Sequence, residues 1–180
     1  MLTDRIALAD RFWLALARLL AACPRLRAAL MRHAMRHPYL HIHNTQGSRY
    51  MGRWWLLRGR PAEEDCPWWL RWCPVAARIH HIQRPDDDRH LHDHPVDFRT
   101  LILEGEYDEE DIFGQVRTLR AGESYPSRAE RFHRITRVSV PFGVWTLFVI
   151  GPRRNTWGFL VDGHKIASHT YLGIEPGRDS

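Results

Sequence analysis

Lysine is almost missing from this sequence. Lys165 is the single lysine among 26 Lys+Arg residues in a chain of 180. Schiff-base catalysis would have to fall on that one amine. Cysteine is scarce too: Cys23, Cys66 and Cys73, with no CxxC spacing. An odd, scattered set excludes a disulfide-framed secreted scaffold and fits thiols kept reduced in the cytoplasm. A Cys66–Cys73 bridge is the alternative to three free thiols. No apolar run reaches the roughly 20 residues that a spanning helix needs. Asp4, Arg5, Asp10 and Arg11 interrupt the N-terminal apolar stretch, which argues against a signal peptide. There is no Walker loop, nucleophile elbow or dinucleotide fingerprint, so those enzyme classes drop out.

What remains is ordinary in bulk. Hydrophobic residues make up 44% and charged residues 26%, which suits one soluble domain with an appendage. The formal net charge is +5. The arginines are dispersed, and acidic runs at Asp86–Asp88 and Asp108–Asp111 break them up, which argues against a nucleic-acid partner. Eight tryptophans are unusual and belong in a core or a binding site.

The chain divides into three parts: 1–38, 39–172 and 173–180. Residues 3–22 carry an amphipathic helical stripe of Ile6, Leu8, Phe12, Trp13, Leu16, Leu19 and Leu20. Pro24 suits the start of a second helix over 25–36, with Leu26, Leu30 and Met31 facing inward. This helical extension reads as a lid or dimer element on the main domain. The competing reading is an Arg-bearing surface in peripheral contact with a membrane. Residues 39–172 switch to short strands punctuated by Gly and Pro: 49–58, 75–83, 99–103, 115–119, 123–125, 131–138, 143–150 and 157–161. Residues 59–67 read as a loop and 68–72 as a short turn or strand. The last two strands are expected to form a hairpin. This pattern predicts a mainly β, antiparallel barrel or sandwich. Residues 173–180 form a polar tail. Trp54 and Trp55, if exposed, would suit a homodimer contact.

The chemistry concentrates at Arg89-His90-Leu91-His92-Asp93-His94-Pro95. On a strand, His90, His92 and His94 share a face. With His133 from another strand they could hold a divalent metal, since imidazole suits iron, zinc, copper and nickel. His90 is a register alternative to His94.

His92-Asp93-His94, Gly105, Gly122 and His133 together resemble the two signature motifs of the cupin superfamily. Gly105 stands eleven residues after His94, and Gly122 eleven before His133, as those motifs require. The resemblance covers about 75–161. The motif's usual glutamate falls on Phe98, and Arg128, Glu130 and Arg137 replace the Pro, Gly and Asn of the second motif. The resemblance implies a small cupin-like β-barrel or jelly roll with metal at His92, His94 and His133. Asp97 would supply a carboxylate ligand if its strand were bulged.

The implied function is a non-haem iron oxygenase or dioxygenase, using Fe(II), on a small anionic molecule. Alternatives are a non-redox isomerase or lyase using zinc, nickel or manganese as a Lewis acid, or a binding module without catalysis, with copper a further candidate for the metal. Arg99 and Arg137 are candidates to anchor a substrate carboxylate, because the guanidinium fork fits it. Tyr107 and Tyr125 are candidate hydrogen-bond donors to the reacting molecule.

Overall fold

A computed structural model describes residues 2–43, 47–57 and 76–173, with side chains from residue 9 onward. The expectations for 59–67, 68–72, the tail 174–180, Cys66 and Cys73 lie outside the described residues. Helices α1 (Leu2–Ala22) and α2 (Pro24–Ala34) open the chain. Strands β1 (Ile42–His43), β2 (Arg49–Leu57), β3 (Ala76–Ile82), β4 (Leu91–His92), β5 (Val96–Glu104) and β6 (Glu106–Asp111) follow. Next come β7 (Val116–Arg120), β8 (Ser124–Ser127), β9 (His133–Val138), β10 (Val144–Arg153), β11 (Gly158–Val161) and β12 (His164–Ala167), then the short α3 (Ser168–Leu172). The fold is therefore mainly β with an N-terminal helical extension.

The strands form two antiparallel six-stranded sheets, ordered β1-β2-β3-β10-β5-β8 and β12-β11-β4-β9-β6-β7. From β3 to β6 and from β7 to β11 the chain crosses between the sheets at every step, in jelly-roll fashion, while β1 to β3, β6–β7 and β11–β12 stay within one sheet. The expected hairpin between 143–150 and 157–161 does not form. Both edges of β10 are taken by β3 and β5, so β11 pairs instead with β4 and β12 in the other sheet.

Strand alternation sorts the first sheet into two faces. Ile79, Leu147 and Leu101 lie level on β3, β10 and β5 and face outward. There they meet Ala17 and Leu20 of α1 and Ala34 of α2. The helices thus lie over the outside of the barrel. Leu19 and Phe12 stay exposed, and so does Leu26, against the expectation that it faces inward. Trp54 is buried in the same layer and stacks on Trp145, while Trp55 on the other face of β2 is half-buried against Tyr39.

The opposite face of the sheet looks into the barrel. At one end Ile82, Ile102 and Val144 pack with Tyr107, Leu119 and Val138 of the second sheet. At the other end the lining is aromatic: Phe98, Phe148 and several imidazoles. Gly105 and Gly122 make the β5–β6 and β7–β8 turns with φ of 80° and 88°. A Cβ on Gly105 would lie 2.6 Å from the Gly143 carbonyl oxygen, so both backbone angle and space require glycine there.

Candidate metal centre

Strands β4 and β9 are antiparallel neighbours, and His92 lies directly opposite His133. That register alone brings two imidazoles together. The chain then leaves the second sheet for the first, and His94 falls on this crossing. Its N–H bonds to the Ala129 carbonyl, which aims the ring back at the pair. The ring centroids of His92, His94 and His133 lie 5.0 to 5.2 Å apart. One nitrogen from each ring lies within 4.8 Å of the others. The Nε2 atoms of His94 and His133 are 2.8 Å apart.

Carboxylates stand behind two of the rings, one of them within hydrogen-bond distance. Oε2 of Glu109 lies 2.8 Å from Nδ1 of His133. Oε1 of Glu109 accepts from Arg131 at 2.5 Å, and Arg117 stands 3.6 Å away. Burial opposes ionisation of Glu109, but the contacts with His133 and Arg131 outweigh it and hold the carboxyl down to about 2. An ionised Glu109 stands where it can accept from Nδ1 of His133, with Nε2 of that ring turned toward His94. Asp86 stands 3.7 Å from Nδ1 of His92. It is held in turn by the Ile135 N–H at 2.7 Å and by the Tyr50 hydroxyl. Burial lowers the pKa of His92, against the pull of Asp86. Burial, then the neighbouring His133 and His92, puts His94 well below the ordinary imidazole value.

Three imidazoles with converging nitrogens, and carboxylates standing behind two of them, fit a borderline divalent cation. Among the described residues this is the one group of three or more ligating side chains so gathered.

The residue between the two motif histidines is tied down separately. Asp93 is buried and accepts from Lys165 at 2.5 Å, Asn155 at 2.7 Å and the Gly158 N–H at 2.7 Å. The clasp fastens the His92–His94 segment to the β11–β12 hairpin.

Several expected site residues lie elsewhere. Strand β4 begins only at Leu91, so His90 escapes the alternation and instead meets the Tyr171 hydroxyl at 2.9 Å. Strand β5 pairs regularly with β8 from Phe98 onward, so Phe98 faces inward and Asp97 does not. Asp97 accepts from the Ala129 N–H at 2.9 Å and Arg154 at 2.7 Å, which makes it a structural carboxylate. Arg99 shares that outward parity and binds Asp10 of α1 and Ser124. Arg137 is turned out by a register shift between β6 and β9, where Glu109 opposes Ile135 but Asp108 opposes Arg137. The extra residue, Thr136, reverses the parity. Arg137 pairs with Asp108 and Glu106 on the exterior. Tyr107 is core, packed with Leu119 and Val138 away from the imidazoles. Tyr125 lies under Arg117, whose guanidinium stands 3.5 Å over its ring.

The sequence reading missed Glu109, Asp86 and Arg131. Only the alternation of Tyr107 and Glu109 against Asp108 and Glu110 hinted that the acidic run is a strand with one buried acid.

No family model and no curated protein matches the sequence. Solved structures do. A cupin-2 domain protein from Rhodospirillum rubrum is 13% identical, with a TM-score of 0.48 over 68% of this chain and 74% of that one. A cupin-like protein from Thermotoga maritima is 11% identical, with a TM-score of 0.44 over 71% and 86%. HppE with Fe(II) is 17% identical, with a TM-score of 0.46 over 62% and 54%. The chain spans about half the length of HppE and of a DMSP lyase that it also resembles. Two antiparallel sheets, with a His-x-His segment and a third histidine from a facing strand brought together between them, are what this chain has in common with the cupin folds it is similar to at low identity.

Proposed function

We propose that the chain is a metal-dependent enzyme acting on a small anionic molecule, with Fe(II) at His92, His94 and His133 and oxygenase chemistry. The observation that supports this is the convergence of three imidazoles, one buried and two half-buried, with no carboxylate among them. A divalent metal held by neutral ligands keeps its full charge, draws an anionic oxygen to it and, as iron, adds redox chemistry toward dioxygen. The protein's own residues do the remainder. Glu109 holds the Nδ1 proton of His133, and Asp86 stands behind His92. Phe98 and Phe148 stack at 4.6 Å, and Phe98 meets the His94 ring at 4.7 Å, so this wall of the site is apolar and excludes water.

Phe98 in place of a carboxylate favours one second reading. A site without an anionic ligand is also suited to zinc, nickel or manganese acting as a Lewis acid in a lyase or isomerase.

The test is elemental analysis of protein purified without an affinity tag, followed by anaerobic loading with Fe(II) and oxygen-uptake assays over a panel of small carboxylates. One bound metal that is lost in both His92→Ala and His133→Ala supports the site. Metal unchanged in both variants removes it. Turnover without oxygen consumption selects the Lewis-acid reading.

A further inference from the structure

His80 has no part in the centre described above, yet it is only 7% exposed and its Nε2 has no hydrogen-bond partner among the described residues. It lies on β3 opposite Thr146 of β10, on the face that looks into the barrel. Its ring stacks on Phe148 at 4.7 Å and 22°, and Phe148 stacks on Phe98 at 4.6 Å and 26°. Phe98 in turn meets the His94 ring edge-on. A ladder of flat rings therefore runs from His80 to the three histidines and fixes the His80 ring plane. Burial, with Arg53 and Arg78 nearby, keeps the imidazole neutral. Leaving a buried imidazole nitrogen unpaired forfeits its hydration with nothing in return. Core packing alone would be served better by phenylalanine, and such a cost is commonly retained where a bound molecule completes the bond.

We propose that His80 is a substrate-positioning residue: its Nε2 hydrogen-bonds an oxygen of a small carboxylate whose other oxygen reaches the three-histidine centre. This rests on the metal reading above and names the group that would hold the far end of the ligand. A neutral imidazole offers one donor or one acceptor at a fixed place, which suits one oxygen of the anionic ligand that the metal reading calls for. Strands β3 and β10 hold His80 from the sheet opposite β4 and β9, so the ligand would bridge the two sheets.

Cobalt(II)-loaded protein provides the test, because its visible bands report both metal binding and ligand entry. Oxalate and acetate are titrated into wild type, His80→Phe and His80→Gln, with cobalt stoichiometry and thermal midpoint measured for each. The expected result is unchanged cobalt content in all three. Oxalate binding should weaken about tenfold or more in His80→Phe and recover in part in His80→Gln, whose amide can replace the hydrogen bond. Equal oxalate affinity in wild type and His80→Phe overturns the proposal and makes His80 a core residue or the partner of a buried water. Loss of cobalt in a folded His80→Phe overturns it differently, by making His80 a metal-site residue. No response of the wild-type bands to either anion also refutes it. Failure of the metal reading itself shows up separately, as cobalt retained in His92→Ala.

Discussion

Glu109 carries more of this site than its place in an acidic run suggests. Its two oxygens serve His133 and Arg131, and it is almost fully buried. Glu109→Gln removes the charge that Arg131 and the Nδ1 proton both face. Apo stability should drop by about 3 kcal/mol in urea unfolding, because a buried charge loses its partner. Metal affinity should fall about 10–100-fold in a cobalt or zinc titration, as for other carboxylates behind ligating histidines. Asp97→Asn is the contrasting case. Its partners are a backbone N–H and arginines, so elemental analysis should find metal content unchanged. At this scale the sequence was legible where spacing is rigid. His92, His94 and His133 could be read off because two glycine turns hold their intervals. Arg99, Arg137 and Asp97 could not, because parity depends on where a strand starts and where it bulges.

The elements themselves were legible in proportion to their apolar content. Strands β5 and β10 are seen in the sequence because Leu101, Ile102, Leu147 and their neighbours form apolar runs. Strand β6 was hidden because Glu109 occupies an inward position that a hydrophobic residue normally fills, and a buried acid breaks the pattern. Strand β12 and helix α3 are too short to leave a periodic signal. The hairpin expected from β10 to β11 was wrong because adjacency in sequence does not reveal that both edges of β10 are already occupied. The outer layer gives the element-scale test. Leu101 is fully buried between β10 and the helices, so Leu101→Ala should cost about 2–5 kcal/mol in chemical denaturation while leaving metal content intact.

For the whole molecule, the histidines inside the barrel tie stability to pH. Burial lowers the pKa values of His80, His92 and His94 from 6.5 in the folded protein. In the metal-free chain the unfolded state therefore takes up protons below 6.5 while the folded state does not. Their contribution is complete above 6.5 and is lost progressively as pH falls from there toward the folded values. Each histidine adds up to about 1.4 kcal/mol per pH unit to the slope. Thermal or urea unfolding between pH 7 and 5 should show this decline, with a shallower slope in His80→Phe; a flat profile would contradict it. The clasp on Asp93 has its own bearing on how the protein can be studied. Because the chain possesses one side-chain amine and that amine grips the carboxylate between two motif histidines, amine-directed acylating reagents have a single lysine to modify here. The extent of their attack becomes a chemical gauge of whether the β11–β12 hairpin is still fastened down.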